Sequence, residues 1–174
     1  TYNFLTGEKE FKNPPITLKN RDIIIIEGIH TLNEELTKSI DRKNKYKIYI
    51  SPFTPLGLDR HNHISTVDLR LIRRLVRDYR TRGYSAEATL AGWQNVRVSE
   101  EKYIFPYQKE ADKVLDTALI YELGILKTYA IPILYSVNYK SKYYSEALRI
   151  INFLEYFLNI PVDTLPNTAL LREF

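Results

Sequence analysis

Residues 68–82 read DLRLIRRLVRDYRTR, and six of these fifteen residues are arginine. At about 100° of rotation per residue, the apolar side chains fall on one broad arc of a helix and five arginines fall on the opposite arc. The apolar arc consists of Leu69, Leu71, Ile72, Leu75, Val76 and Tyr79. The basic arc consists of Arg70, Arg73, Arg74, Arg77 and Arg80. This pattern predicts an amphipathic helix over about residues 66–82 that ends at Gly83.

The basic arc has two interpretations. It is a solvated charged face, which is the common role of a run of charges, or it is a phosphate site. Like charges at i,i+3 and i,i+4 repel, and only Asp68 and Asp78 lie nearby in the sequence, so the arginines are strained unless an anion is brought to them. Guanidinium groups also grip phosphate oxygens with two parallel hydrogen bonds. The pattern therefore favours phosphate binding, in a nucleotide, a sugar phosphate or a nucleic-acid backbone.

Apolar or alternating runs predict three strands, at residues 22–27, 45–51 and 113–118. The first contains four consecutive isoleucines, which is typical of a strand buried on both faces. Residues 1–20 are typical of a loop or hairpin, and residues 160–174 of an extended segment packed on the body.

Four further helices are predicted, at about residues 31–41, 85–93, 119–136 and 142–158. Thr31 or Asn33 is expected to cap the first of them, and Ser85 the second. Pro132 is expected to kink or end the third. Strands mixed with helices favour an α/β domain with a mainly parallel sheet. Because three strands are few for such a sheet, we expect part of the domain to lie outside this sequence.

Composition sets broad limits on the function. The chain has 174 residues, a formal net charge of +4, 44% hydrophobic residues and no cysteine. These values suit one globular domain. The absence of cysteine excludes disulfide bonds and thiolate metal sites, but it does not indicate the cellular compartment. No apolar run approaches the length of a membrane span, so we expect no membrane insertion.

A carboxylate is expected at the end of the first predicted strand. Glu27 follows the isoleucines and precedes Gly28, and ligands of open α/β sheets lie beyond the carboxyl ends of strands. Glu27 is a candidate ligand of Mg²⁺, the alternative being a carboxylate paired with a lysine or an arginine. A structural or solvent-facing role is the interpretation favoured for His30, His61 and His63, and no phosphate loop of the form GxxxxGK[ST] occurs in the chain.

Four stretches carry a family resemblance. They are TYNFLTGEK (residues 1–9), IIIIEGIH (residues 23–30), TVDLRLIRRLVRDYRTRG (residues 66–83) and YIFPYQKEAD (residues 103–112). In this order they resemble the phosphoribulokinase/uridine kinase family. The resemblance implies the C-terminal portion of a P-loop kinase-like three-layer domain over residues 1–174, with a substrate loop at residues 1–20 and an arginine-rich lid region at about residues 52–95. In the family, the phosphate-binding loop and the catalytic aspartate come earlier.

The resemblance also implies an activity, transfer of the ATP γ-phosphoryl group to the 5′-hydroxyl of a nucleoside of the uridine or cytidine type, with ATP and Mg²⁺ as cofactors. It places Arg77 and Arg82 in catalysis, and Tyr2, Lys9 and Arg74 in substrate binding. The implied phosphate ligands are Arg70, Arg73, Arg77 and Arg82, and Glu27 is the implied metal ligand. The implied partners are the nucleoside, ATP and the missing N-terminal half of the kinase domain, in a cytoplasmic protein. Whether identical chains form an oligomer is left open.

This chain departs from the family at several positions. Gly7 and Lys9 replace His and Arg, Tyr84 replaces another arginine, and Gly92 replaces Gln. These positions concern nucleoside recognition in the family, so the nucleoside is left open. By itself the segment is expected to be inactive, because it lacks a phosphate loop and a catalytic base. A non-catalytic relative that acts as an interaction module, and a basic nucleic-acid-binding module, are the alternatives.

Overall fold

The computed structural model describes residues 2–3, 8–9, 14, 16–53, 57, 59–61 and 63–174. These residues contain four short strands: β1 (Tyr2–Asn3), β2 (Glu8–Lys9), β3 (Ile48–Ser51) and β4 (Lys113–Asp116). They also contain four α-helices: α1 (Thr66–Arg82), α2 (Ala86–Tyr103), α3 (Glu122–Tyr135) and α4 (Tyr144–Leu154). Short 3-10 helices lie at Glu34–Leu36, Arg42–Asn44, Phe105–Glu110, Val162–Thr164 and Leu170–Glu173. The described chain is therefore of the α/β class.

Helix α1 has the predicted bounds because both of its ends are specified locally. The Ser65 side chain accepts a hydrogen bond from the backbone N–H of Asp68 and caps the first turn. Gly83 adopts the left-handed conformation (φ 67°) and ends the helix, a conformation that a residue with a Cβ enters at a cost. The predicted helix of residues 66–82 is confirmed.

The core lies between α1, α3 and α4. Helix α3 contacts both of the others, and the buried side chains of the three helices form one cluster. The apolar arc of α1 enters this cluster through Leu69, Leu71, Ile72, Leu75 and Val76, each at most 2% exposed. Tyr79 was predicted on the same arc, but it is exposed, so the buried arc is narrower than predicted. The core accounts for the amphipathic pattern, because burial of apolar surface stabilises helices that are marginal alone.

The other helical predictions are confirmed with shifted ends. Ser85 caps α2 as predicted, but the helix continues ten residues beyond the predicted end, to Tyr103. Pro132 lies inside α3, three residues before the end of that helix, so the helix does not stop at the proline. The predicted helix over residues 31–41 is wrong in extent. Only one 3-10 turn forms there, and Asn33 caps it by accepting from the N–H of Glu35.

The strands form two separate pairs. Strands β1 and β2 pair antiparallel, with Tyr2 opposite Lys9, which confirms a hairpin near the start of the chain. Strands β3 and β4 pair in parallel, with Ile50 opposite Leu115 and Ser51 opposite Asp116. The predicted strands at residues 45–51 and 113–118 are therefore confirmed, with shorter bounds.

The predicted buried strand at residues 22–27 is wrong. These residues form neither a strand nor a helix, and all four isoleucines are exposed. A β-branched run favours a strand only when another strand pairs with it and a layer covers it. Within the described ranges no strand pairs with residues 22–27.

Candidate phosphate-binding site

Three arginines of α1 converge on one carboxylate. Arg82 Nη1 lies 3.0 Å and Arg77 Nη2 lies 3.3 Å from Asp78 Oδ1. Arg74 Nε lies 3.1 Å from Asp78 Oδ2. We call Asp78 with Arg74, Arg77 and Arg82 the Asp78 cluster. The helix builds it, because residues at i,i+4 spacing lie on one face, as Arg74, Asp78 and Arg82 do.

The Asp78 cluster carries a surplus of positive charge. The Asp78 side chain is completely buried, whereas the three arginine side chains are 23–34% exposed and so reach the surface. Burial lowers the pKa of Arg77, and the neighbouring Arg82 lowers it further, while Asp78 opposes both effects. Within the cluster itself, one carboxylate faces three guanidinium groups, and this formal excess of positive charge favours anions nearby.

Three polar atoms of the Asp78 cluster are buried without a hydrogen bond: Arg74 Nε, Arg77 Nε and Asp78 Oδ2. Arg74 Nε and Asp78 Oδ2 are within ion-pair distance, but they do not meet hydrogen-bond geometry. Buried polar atoms in proteins nearly always have partners, so an unpartnered set calls for an explanation. A bound ligand or water that rearranges the guanidinium groups would supply the missing partners.

Arg70 and Arg73, also predicted phosphate ligands, form ion pairs inside the protein. Arg70 Nη1 donates to Glu100 of α2 at 2.9 Å. Arg73 Nη2 donates to Glu122 of α3 at 2.7 Å and to the Thr117 carbonyl at 2.9 Å. The expectation that the basic arc needs an external anion is therefore wrong for these two arginines, because carboxylates from neighbouring helices neutralise them.

Little in the sequence indicates these two carboxylates. Glu100 and Glu122 are almost completely buried, and a buried carboxylate needs a cation and hydrogen bonds. Glu122 lies 49 positions from Arg73, so helix periodicity within α1 could not reveal the pair. Glu122 is the first residue of α3, where an acid is common because it interacts favourably with the helix dipole, so its position did not indicate a buried partner.

The carboxyl ends of β3 and β4 hold a different acid from the one predicted. Asp116, at the end of β4, accepts at 2.8 Å from the backbone N–H groups of both Phe53 and Ala118. These hydrogen bonds lower the pKa of Asp116. Since ligands of α/β sheets lie beyond the carboxyl ends of parallel strands, Asp116 ties together the loops of that region. Sequence reasoning passed over this residue.

Among the described residues, no hydrogen bond or ion pair joins Glu27 or Lys9 to the Asp78 cluster. Glu27 is exposed, and no hydrogen bond or ion pair joins it to an α1 arginine among the described residues. Lys9 is exposed on the hairpin, opposite Tyr2, whose side chain lies outside the described part. Mg²⁺ commonly takes one or two protein carboxylates and completes its shell with phosphate oxygens and water, so a lone Glu27 fits that ion.

Two further features bear on the site. His30, His61 and His63 are all exposed, and the described residues contain no group of three His, Cys, Asp or Glu side chains placed to hold a metal. No helix among the described ranges combines the length and the apolar character needed to cross a bilayer. The predicted metal role of Glu27 thus depends on a ligand phosphate to complete the site, and it stays a prediction.

Comparison with known proteins identifies the family. The sequence profile of the Phosphoribulokinase / Uridine kinase family matches residues 1–120. A uridine kinase of Staphylococcus haemolyticus is 32% identical over 117 residues, which cover 66% of this chain and 47% of that protein. A uridine kinase of Macrococcus caseolyticus is 31% identical over 117 residues, covering 66% and 48% respectively.

A third relative extends the comparison to another genus. A uridine kinase of Anoxybacillus flavithermus is 29% identical over 104 residues, which cover 59% of this chain and 42% of that protein. The chain thus spans less than half the length of these curated relatives. No solved structure matches the chain. Because the family profile covers more than half of the sequence, the chain belongs to the phosphoribulokinase/uridine kinase family.

Proposed function

We propose that the whole protein is a nucleoside kinase, which transfers the γ-phosphoryl group of ATP to the 5′-hydroxyl of a nucleoside of the uridine or cytidine type, and that this chain supplies its phosphate-holding arginines. Membership of the kinase family supports this proposal. The observation that carries it is the Asp78 cluster, where three partly exposed guanidinium groups share one buried carboxylate. ATP, with Mg²⁺, is an anion of the size and charge such a cluster attracts.

The proposed roles follow from position and charge. Arg77 and Arg82 stabilise negative charge on the transferring phosphoryl group, and preorganised cations are the main catalytic device in phosphoryl transfer. Arg74 and Lys9, with Tyr2, contact the nucleoside. When Mg²⁺ is bound, it neutralises phosphate charge, and Glu27 is its proposed ligand.

Arg70 and Arg73 take a different place in the proposal. Their guanidinium groups are already held by Glu100 and Glu122. We propose that they fix the orientation of α1 against α2 and α3, so that the Asp78 cluster lies at a defined position. A direct contact of either arginine with phosphate stays a prediction.

Catalysis is proposed for the whole protein and not for this segment. Its 174 residues contain no GxxxxGK[ST] phosphate loop, which in P-loop enzymes cradles the nucleotide phosphates with backbone N–H groups. The segment mixed with ATP, Mg²⁺ and uridine is therefore expected to yield no uridine monophosphate. Turnover would contradict the proposed division of roles.

Binding of Mg²⁺–ATP to the 174-residue chain tests the phosphate site directly. We expect weak binding by calorimetry that falls as salt is raised, because exposed charges are screened. Removing one charge-assisted hydrogen bond costs about 1.5–3 kcal/mol, so Arg77→Ala and Arg82→Ala should weaken binding by roughly 10- to 100-fold.

Arg149→Ala is the matched control for these variants. It removes the same charge from an exposed ion pair with Asp68, at the opposite end of α1, roughly 15 Å from Asp78 along the helix. This control should leave ATP affinity unchanged. Equal losses in all three variants would show a non-specific charge effect, and the phosphate site would have to be abandoned.

The internal ion pairs of Arg70 and Arg73 favour a second candidate. A relative that has lost catalysis could keep these pairs for stability and retain the fold as an interaction module. Such a protein would show no ATP affinity at the Asp78 cluster, so the calorimetric experiment separates it from the kinase.

A further inference from the structure

A cavity of about 60 Å³ lies between α1, α3 and the final segment, which we define as residues 159–174. Arg80 of α1 and Arg172 of the final segment both line it, so we call it the Arg80–Arg172 cavity. The final segment is fixed beside α3, because the backbone N–H of Ile160 donates to the Gly124 carbonyl oxygen at 3.1 Å and Leu171 is buried. The cavity is therefore formed by elements that pack against each other.

Arg80 differs from the other arginines of α1. Each of the other five has a carboxylate oxygen of a Glu or an Asp within ion-pair distance. The described residues provide no such partner for Arg80, whose guanidinium carbon lies 5.6 Å from the centre of the Tyr129 ring. Arg80 also lies three positions after Arg77, a like charge on a neighbouring part of the helix. It is thus the arginine of the basic arc that still calls for an external anion.

Arg172 adds a second cation to the cavity. Its Nη2 donates to the carbonyl oxygens of Leu165 at 2.8 Å and Val162 at 3.4 Å, which holds the guanidinium group in place. Its Nη1 and Nε have no hydrogen-bond acceptor among the described residues, so they keep donors for a ligand. Arg80 and Arg172 are the charged side chains among the described residues that line the cavity, so its charge is positive and favours an oxyanion.

The rest of the cavity wall is largely apolar. Ile125 and Leu126 of α3 and Leu171 of the final segment are at most 5% exposed. The rings of Tyr129 and Phe174 also line the cavity. Beside such walls the local dielectric constant is low, which strengthens the attraction between a guanidinium group and an oxyanion. At roughly 10–15 Å³ for each water-sized position, the cavity has room for about four to six non-hydrogen atoms.

We propose that the Arg80–Arg172 cavity is a binding site for a small carboxylate with a short apolar chain, of the size of propionate. The carboxylate group lies between the two guanidinium groups, and the chain lies against Leu126 and Leu171. A phosphate ion fits less well. It carries oxygens on all sides, and those that face the apolar wall would lose their hydrogen bonds.

This site is distinct from the Asp78 cluster. Asp78 and Arg80 are two positions apart on α1, so their side chains point about 200° apart around the helix axis. Of the residues that line the cavity, only Arg80 lies within residues 1–120, the part that the family profile matches. The inference goes beyond the proposed function and does not depend on it. A bound carboxylate would join α1 to the final segment and stabilise the folded chain.

Titration of the 174-residue chain with propionate, followed by NMR of the backbone amides, tests the proposal. The ionic strength is kept constant with chloride, so that general screening does not change. The amide signals of residues 80, 129 and 171–174 should shift along a saturating curve. Propionamide, which has the same shape without the charge, should leave them unchanged. Phosphate should bind at least about 10-fold more weakly than propionate.

Two variants and one matched control locate the binding site. Arg80→Gln removes a charged hydrogen bond and should weaken propionate binding by about 10- to 100-fold. The variant should fold, because Arg80 is exposed. Arg80→Lys keeps the charge but loses the planar fork, and its affinity should be intermediate. Arg60→Gln removes the same charge from another exposed position, outside the cavity, and should leave the affinity unchanged.

Four results would overturn the proposal: shifts that rise without saturation, equal binding of propionamide, tighter binding of phosphate at the same residues, or equal losses in Arg80→Gln and Arg60→Gln. Saturating shifts confined to the residues around Asp78 would place the anion at the other site and would equally overturn it. Failure of ATP binding leaves all of these readouts unaffected, so the two proposals can fail separately.

Discussion

Isoleucines on the two sides of this molecule have opposite environments. Ile150 on α4 is completely buried among the helices, whereas Ile50 on β3 exposes 58% of its surface. The helical region closes its core with its own side chains and neutralises its buried charges with its own carboxylates. The sheet region pairs its buried Lys47 with Glu34 and Glu110, but it leaves Ile48, Ile50 and Leu115 exposed. We therefore expect the helical region to contribute most of the free energy of unfolding. The exposed apolar residues of the strands are expected to contribute little to it.

The buried pair between Arg73 and Glu122 should give the largest effect. Glu122→Ala leaves an arginine in the interior without its carboxylate, and breaking such a pair typically costs about 3–5 kcal/mol. Chemical denaturation of the chain measures the change in the free energy of unfolding. Glu35→Ala, which breaks an exposed pair with Lys38, is the control and should cost about 0–1 kcal/mol. Similar losses would contradict the assignment of stability to the helical region.

The two isoleucines themselves provide the second test. Ile150→Ala should lower the free energy of unfolding by about 2–5 kcal/mol, because it opens a cavity in the core. Ile50→Ala should have a much smaller effect in this chain, about 0.5 kcal/mol, since more than half of this residue is already exposed. Thermal unfolding followed by circular dichroism compares them. A large loss from Ile50→Ala would show that the sheet region is covered after all.

Two glycines refine the comparison inside the helical region. A Cβ at Gly124 would lie 2.7 Å from the Leu158 carbonyl oxygen, so Gly124→Ala should destabilise the chain by about 1–3 kcal/mol. A Cβ at Gly92 on α2 would meet nothing within 4 Å, so Gly92→Ala should stabilise it by about 0.5–1 kcal/mol. Opposite signs in urea unfolding are the expected result, and a shared sign would refute the close packing of Gly124.

The smallest effect on stability is expected from lowering the pH, through Glu34 and its ion pairs with Lys45 and Lys47 beside β3. The hydrogen bond from Lys45, followed by that from Lys47, lowers the pKa of Glu34 from 4.5 to about 2. A carboxylate with a depressed folded-state pKa stabilises the fold above pH 4.5 and loses this contribution as the pH falls toward 2. In Glu34→Gln, the pH dependence of the unfolding midpoint should therefore be shallower between pH 4.5 and 2. An unchanged slope, or a Glu34 pKa near 4.5 by NMR titration, would contradict these pairs.

Sequence reasoning succeeded where the information was local. Helix α1 was predicted with its observed ends because Gly83 and the apolar periodicity lie close together in the sequence. Strands β3 and β4 were found because each alternates or runs apolar over a few residues. These features depend on neighbours along the chain, which a single sequence displays.

The same reasoning failed where a partner lies far away. The acids that bind Arg70 and Arg73 come from other helices, and neither periodicity nor local charge reveals them. Residues 22–27 were predicted as a buried strand, although the partner that such a strand requires is not among the described residues. The composition of that segment is typical of a buried strand, but the described residues neither pair with it nor bury its isoleucines.

The end of α1 joins backbone geometry to surface charge. The backbone N–H groups of Gly83 and Tyr84 both donate to the carbonyl oxygen of Asp78, the residue whose carboxylate gathers the three arginines. For a residue with a Cβ at position 83, the left-handed conformation would cost about 1–2 kcal/mol. Relaxing it would disturb the hydrogen bonds to the Asp78 carbonyl oxygen. The uncharged Gly83 thus helps to set the positions of the three arginines that Asp78 gathers at the surface.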